Sequence, residues 1–371
     1  MLMSTFDVSK NKAICVLPWV GEYIHPTGKK APCCYSKPYD NIQSQDTVKD
    51  MMLRGQKPSI CDVCYKNEDT IDWSFRILET TNWVSKFKEP AIHDKSVQYL
   101  DFRYDSTCNL KCKICGPTCS TLWQKEKGLI QIKNKDTAKY FDQVDKAKLK
   151  KVYLSGGEPT YIPAVLVFLQ DLYRVNKTCE ITINTNLKTL SKEWKSVIAQ
   201  FPNITVECSC DALGTLGSYV RYPLGWQEFE QNVKWIAKNV KHLMFILVAS
   251  NLTTHKIYDT CKWMTQFTND IVISVLETPL VFTTQSVPES TRQVYITQIE
   301  QLKTLDVDPH GGQFASAVDD LLKKYKDTSG YSKQMHKELL NEIVEQDSHR
   351  HIKLREVDRW LYDWIYSIGK K

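Results

Sequence analysis

A chain of 371 residues, 42% hydrophobic and 25% charged, has an ordinary globular balance and room for two or three domains. Its 10 Trp, 18 Tyr and 12 Phe exclude a disordered chain, and no run reaches the roughly eighteen apolar residues of a membrane span. Forty-nine Lys and Arg against 43 Asp and Glu leave +6, which on this length reads as a solvated surface rather than a nucleic-acid face. The first thirty residues carry Asp7, Lys10, Lys12 and Glu22 without a continuous apolar stretch, so a cytoplasmic location is expected and a secretory signal is not. Thirteen cysteines in a reducing compartment are there to pack, to react or to bind metal.

Residues 10–65 are rich in turn formers (Pro18, Gly21, Pro26, Gly28, Pro32, Pro38, Asn41, Gly55, Pro58) and poor in apolar periodicity. A segment of that kind is expected to be short of core, with metal standing in for one. It holds Cys15, the adjacent pair Cys33 and Cys34, and the spaced pair Cys61 and Cys64. A helical pattern follows over 71–88, then a linker over 89–95. Strand-like runs come next at 97–103, 152–155, 180–184, 205–208, 243–249 and 271–275, separated by amphipathic helical stretches at 162–175, 192–200, 226–240 and 255–267. Strand and helix alternating at this spacing imply parallel pairing with right-handed crossovers. Six units suit an open barrel better than a closed eight-stranded one. From 288 onward only helices are expected, at 289–305, 316–325, 333–346 and 351–368, with no role assigned. The expected fold class is therefore α/β. A partial (β/α)6 TIM-like barrel (96–287) follows a small cysteine-rich N-terminal domain with its linker (1–95) and precedes a helical C-terminal region (288–371).

Just past the first predicted barrel strand, Cys108, Cys112 and Cys115 place three thiols in eight residues. Loops leaving the carboxyl ends of such strands carry chemistry. Intervals of three and two residues let one loop wrap a cuboidal [4Fe-4S] cluster and ligate three of its irons. The remaining iron can chelate the amino and carboxylate groups of S-adenosylmethionine, so that one electron breaks a carbon–sulfur bond. The competing reading is a structural zinc site, which needs a fourth ligand from Cys119 after Gly116-Pro117-Thr118.

On this loop the sequence resembles the radical S-adenosylmethionine superfamily over residues 97–276. It departs from the family at Ile114, where an aromatic residue beside the adenine is common. The resemblance makes Gly156, Gly157, Glu158 and Pro159, after the second barrel strand, the motif that meets the methionyl amino group. It makes Asn184, Thr185 and Asn186 at the third strand's end, and Ser209 and Asp211 at the fourth's, candidates for the methionyl carboxylate and ribose. Arg221 is a candidate partner for that carboxylate, with a plain surface arginine as the alternative. The polar candidates double as ordinary turn residues.

The pair Cys61 and Cys64 alone suits zinc or iron–sulfur. Together with Cys15, Cys33 and Cys34 it resembles the twitch domain, the short form of the SPASM domain, which holds an auxiliary iron–sulfur cluster. Relatives carry that domain after the barrel, whereas here the cysteines precede it. Five thiols are too few for two clusters, and one cluster on Cys15, Cys33, Cys61 and Cys64 is the allocation. Adjacent cysteines point to opposite sides of an extended backbone, which leaves Cys33 and Cys34 competing for one position. A zinc knuckle that only staples the domain is the alternative. Cys179, Cys208, Cys210 and Cys261 read as small buried apolar residues.

The resemblance implies an enzyme that cleaves S-adenosylmethionine to a 5′-deoxyadenosyl radical and abstracts hydrogen from a peptide or protein side chain. Its auxiliary cluster would pass electrons or bind substrate, with an external donor of flavodoxin or ferredoxin type. A small sugar or nucleotide-derived substrate is the second reading. A zinc-stapled nucleic-acid-binding module using the lysines of 125–151 is the third, though that stretch has few interleaved aromatics for base stacking. No general base or substrate clamp is identified.

Overall fold

The computed structural model describes residues 5–25, 28–40, 42–71, 73–103, 105–129, 137–307 and 312–370. Pro26, Asn41 and part of the lysine-rich stretch 125–151 lie outside the described residues. The chain divides into two compact units. The first comprises Met1–Ser106, Ile132–Ile183 and Ser196–Ile204, the second Thr107–Gln131, Asn184–Lys195 and Thr205–Lys371.

The first unit carries β1 (Gly21–Ile24), β2 (Lys30–Ala31), β3 (Tyr99–Arg103), β4 (Lys151–Ser155) and β5 (Glu180–Thr185). β1 pairs antiparallel with β2 and parallel with β3, and the β3–β4 and β4–β5 pairs are parallel. The sequence predicts no strand before residue 97. β1 is four residues long and begins at a glycine, too short to show a period, and its conformation is set by pairing with β3, some eighty residues on. β3 is buried from Tyr99 through Phe102 without alternation, as in a strand covered on both faces. Leu100 and Phe102 are buried, and Phe102 packs on Phe141, which stacks on Phe168 of the helix Pro163–Val175, with ring centroids 4.3 Å apart in each pair.

The expectation that the amino-terminal segment lacks a core is not met. Phe6, Ile14, Val16, Leu17, Trp19, Val20, Val48, Met52, Ile60, Trp83 and Tyr99 form one buried cluster there. Leu17, Trp19 and Val20 come from the four-residue helix Leu17–Val20, Val48 and Met52 from one face of the helix Gln45–Leu53, and the rest from separate elements and loops, so no single stretch carries a long apolar period. The helix Phe75–Phe87 closes this core. Ser74 caps it by accepting from the Ile77 amide, and its buried side includes Arg76, Glu79, Thr80 and Trp83, spaced as one helical face. The polar members of that face are paired. Arg76 forks onto Glu68 at 2.8 and 2.6 Å and donates to the Ile14 carbonyl, Lys151 donates to Glu79, and Thr80 accepts from the Val16 amide.

The second unit carries β6 (Ile204–Ser209), β7 (His242–Ala249) and β8 (Ile271–Val275), joined by parallel pairing in that order. Burial alternates along β6 and β7, and the helix Trp226–Asn239 packs with Trp226 and Phe229 against Trp263. The α/β class and the six βα steps from β3 to β8 are those expected. Beyond residue 288 lie helices Glu289–Leu302, Gln313–Lys326, Lys333–Ser348, Leu354–Val357 and Arg359–Ile365. The single helix expected over 351–368 is broken at Asp358, whose backbone is extended and whose carboxylate accepts from the Leu361 amide to start a new helix. Among the described residues no helix is long and apolar enough to cross a membrane.

The Arg76–Glu68 pair gives a direct test of this packing. Arg76→Met leaves the half-buried Glu68 carboxylate and the Ile14 carbonyl without their donor, and a stability loss of about 3 kcal/mol is expected in urea unfolding. A midpoint shift equivalent to under about 0.5 kcal/mol would mean that the pair is ornamental.

Candidate metal centres

In the second unit, the loop with Cys108, Cys112 and Cys115 is held along its whole length. The amides of Lys111 and Lys113 donate to the carbonyls of Tyr222 and Val220, at 2.6 and 2.7 Å. Ser120 starts the helix Thr121–Glu126 and also donates to the Leu110 carbonyl at 2.6 Å, and the Trp123 indole N–H donates to the Cys112 carbonyl at 2.9 Å. The Leu110 amide points at the Cys108 sulfur, 3.4 Å away, and the Cys115 amide donates to the Cys112 carbonyl. A thiolate accepting from a backbone amide is a stabilised ligand. With three sulfur donors on one braced turn, the donor set fits a cuboidal cluster that keeps one iron free of protein. Cys119, the fourth ligand that the zinc alternative needs, lies in a turn and meets Cys115. Their thiol–thiol hydrogen bond, together with burial, pushes the Cys115 thiol up.

The predicted cofactor residues of this unit spend their polar groups on one another. Asn186 donates to Asn109 at 2.9 Å, lies 4.0 Å from the Cys108 sulfur and accepts from the Lys188 amide, so it braces the cysteine loop. Asn184 donates to Glu207 at 3.1 Å, and Ser209 is half-buried at the end of β6. Arg221 is half-buried, its side chain 12% exposed, and so is no freely solvated arginine. Its Nη1 donates to Asp211 at 2.7 Å, while Asp211 also accepts from the Val248 amide. The Nε of Arg221 is buried without a hydrogen-bond partner, a donor left over for an anionic group. Burial pushes the Cys112 thiol up, and the Arg221 charge partly offsets it.

In the first unit, Gly156 follows β4 with φ of 117°, a conformation that disfavours side chains, and the Gly157 amide donates to the Asp105 carbonyl at 2.7 Å. Glu158 is buried and turned back on its own turn, accepting from the amide and hydroxyl of Thr160, and Pro159 opens the short 3-10 turn Pro159–Tyr161. The Glu158 side chain therefore shapes the turn. Ser155, just before the pair, has a buried hydroxyl without a partner and was not singled out by sequence.

Cys15, Cys33, Cys61 and Cys64 line a single cavity with about 360 Å³ of space between atoms, walled also by Leu17, Met52, Tyr35, Phe75 and Arg76. Cys34 is absent from its wall. That thiol instead lies against the carboxylate of Asp101, which with burial pushes it up to about 12. The two are parted by a turn rather than by extended backbone, the Ser36 amide donating to the Cys33 carbonyl, and the turn sends Cys33 inward and Cys34 away. Cys15 is fixed by its neighbours, since Tyr65 donates to the Ala13 carbonyl, Arg76 to that of Ile14 and the Val16 amide to Thr80. Burial holds all four cavity thiols above their usual range, and for Cys15, Cys33 and Cys61 the neighbouring sulfurs add to it. Among the described residues no three His, Cys, Asp or Glu side chains converge on a point that would hold a single ion.

Asp101, beside Cys34, has its carboxyl pushed up to about 6 by burial, against the pull of Arg103. The folded chain therefore keeps a proton that the unfolded chain has lost, and stability falls as the pH rises from about 4 to about 6. Asp101→Asn removes that loss. Its melting midpoint should gain on the wild type across this window and keep a constant lead above it, and a gap that does not widen contradicts the assignment.

Residues 106–264 match the radical SAM superfamily. Over 103 residues, 28% of this chain and 31% of the relative, the sequence is 26% identical to the GTP 3′,8-cyclase of Aliarcobacter butzleri. The corresponding enzyme of Petrotoga mobilis is 25% identical over 100 residues, 27% and 30% of the two chains. The chain thus spans under a third of these curated relatives. Among solved structures, Streptococcus suis SuiB bound to precursor peptide SuiA aligns with 77% of this chain and 59% of its own, at 14% identity and a TM-score of 0.43. The structure of anSMEcpe with bound AdoMet aligns with 56% of this chain and 59% of its own, at 14% identity and a TM-score of 0.41.

Proposed function

Because residues 106–264 are a radical SAM domain, we propose that this chain is an enzyme that cleaves S-adenosylmethionine reductively and directs the radical at a peptide or protein side chain. Cys108, Cys112 and Cys115 hold its cluster. When bound, a [4Fe-4S] cluster with one iron free of protein supplies the electron that splits the cofactor into methionine and a 5′-deoxyadenosyl radical. The glycine pair at 156 and 157 presents backbone groups to the methionyl amino group, with Glu158 and Pro159 shaping that turn. Arg221, steadied by Asp211, offers its remaining nitrogen to the methionyl carboxylate. Asn184, Asn186 and Ser209 sit at the strand ends, Asn186 bracing the loop from below the Cys108 sulfur. The observation that carries the reading is the three-cysteine loop, backbone-braced and inside the matched family segment.

Cys15, Cys33, Cys61 and Cys64 hold a second, auxiliary iron–sulfur cluster. Its support is the convergence of four thiols on one cavity in a wall that includes no carboxylate or imidazole. Four thiolates complete a cluster's coordination, which suits electron transfer from an external flavodoxin- or ferredoxin-type donor or from the substrate radical. A peptide substrate follows the twitch and SPASM resemblance. The match to GTP 3′,8-cyclases favours a second reading, a small nucleotide-derived substrate. We place the enzyme in the cytoplasm.

Protein purified without oxygen should be brown, and with S-adenosylmethionine and a strong reductant it should release 5′-deoxyadenosine. Cys112→Ala drops that release to background. Cys119→Ala leaves iron intact, whereas a four-thiol zinc site would lose its metal. Colourless protein with stoichiometric zinc overturns the reading.

The cavity makes a separate forecast for the adjacent pair. Cys33→Ala or Cys61→Ala should remove part of the iron and spare the cluster at Cys108, while Cys34→Ala keeps all of it. Loss of all iron in Cys61→Ala contradicts two independent centres.

A further inference from the structure

The helices beyond residue 288 have no part in the reading above, yet residues at the end of Lys333–Ser348 meet the cysteine loop. Lys113 lies between Cys112 and Cys115, where a lysine would ordinarily reach for solvent. Its side chain is wholly buried and its Nζ donates to Asp347 at 2.6 Å. Asp347 has its remaining capacity filled, accepting from the Tyr219 hydroxyl at 3.0 Å and the Leu354 amide at 2.9 Å. The Lys113 ammonium also lies 4.1 Å from the Tyr219 ring, and Gln346 donates to the Lys113 carbonyl.

Arg350 makes the second contact. It is 3% exposed, with Nη2 donating to Glu126 at 3.2 Å and its guanidinium over the rings of Trp123 and Tyr222, at 4.8 and 5.6 Å. Those two residues touch the loop directly, Trp123 by donating to the Cys112 carbonyl and Tyr222 by accepting from the Lys111 amide. Glu126 also pairs with Lys111. Arg350 keeps two buried nitrogens, Nε and Nη1, without a partner. Desolvating a lysine and an arginine beside each other is expensive, and replacement by apolar residues is often neutral or stabilising. A buried pair here is therefore poorly explained by stability and better explained by placement.

We propose that this C-terminal segment is a working part of the first metal centre. Asp347, acting through Lys113, fixes the backbone between Cys112 and Cys115, and Arg350 supplies a fixed positive charge beside that backbone. Both are positioning residues. The inference rests on Cys108, Cys112 and Cys115 being cluster ligands. A loop fixed in this way keeps two thiolates at the separation a cluster requires, and outer-shell partners of metal ligands commonly govern metal affinity. A nearby cation also favours the state with one more electron, so its removal makes reduction harder.

The test uses the full-length chain, reconstituted anaerobically, with iron retention against a chelator, the electron paramagnetic resonance signal with and without S-adenosylmethionine, and a redox titration. Asp347→Asn should weaken iron binding at the loop about ten-fold or more. The double variant Lys113→Met with Asp347→Leu replaces the ion pair by apolar groups. Because the Tyr219 hydroxyl and the Leu354 amide lose their acceptor, its melting temperature should fall. Below that temperature the folded variant should show the same weakened binding and an altered signal, where a merely structural pair would lower the melting temperature alone. Arg350→Gln should move the potential of the S-adenosylmethionine-responsive signal to a more negative value, and Arg350→Lys should restore most of it. Wild-type retention and signal in both Asp347 variants, or an unmoved potential in Arg350→Gln, overturns the proposal and leaves the cluster assignment standing. Wild-type protein without any such responsive signal overturns both.

Discussion

A buried sulfur donor is stable as a neutral thiol and useful as an anion, and this conflict governs both cysteine groups. Cys15, Cys33, Cys61 and Cys64 sit in an apolar-walled cavity where burial opposes ionisation. A protein that buried four thiolates unaided would pay heavily in desolvation. A metal that bound as protons left would resolve the conflict, and folding, proton release and loading would then be linked at that cavity. The loop at Cys108 meets the same difficulty with different means. It places a backbone donor on the Cys108 sulfur and a half-buried cation, Arg221, in the field of Cys112.

The amino-terminal segment combines two forms of stabilisation that sequence reasoning treats as alternatives. Its apolar cluster is a real core, centred on Trp19 and Trp83, and the cysteine cavity lies on that core's flank, sharing Cys15, Leu17 and Met52 with it. Metal at this place would add to packing rather than substitute for it. The bracing of residues 13–16 by Thr80, Tyr65 and Arg76 shows the same economy, since each polar contact that fixes Cys15 also closes the core.

Much of this was legible from the chain. The six strands from β3 to β8 were visible because each carries an apolar run of its own, and the cysteine loop because its spacing has few other uses. The missed features share one cause, distance along the chain. β1 is too short to have a period and exists because β3 lies beside it. The core of the first unit is assembled from short helices, a strand and loops that lie far apart in the chain. Asp347 looks like any acidic residue on an amphipathic helix, and only its pairing with Lys113, 234 positions earlier, gives it meaning. The choice between Cys33 and Cys34 was likewise a matter of how one turn faces, which adjacency poses and tertiary structure answers.

That separation of 234 residues carries an implication for how the molecule is made. During synthesis the segment with Cys112 emerges long before its counter-ion has been translated, so a nascent chain presents those thiols on an unclamped loop. Iron delivered then would meet a floppy ligand set, while iron delivered after release meets a finished one. A turn clamped by Lys113 and Asp347 is complete only after the last part of the chain has folded, so a ligand arriving then would meet a finished site.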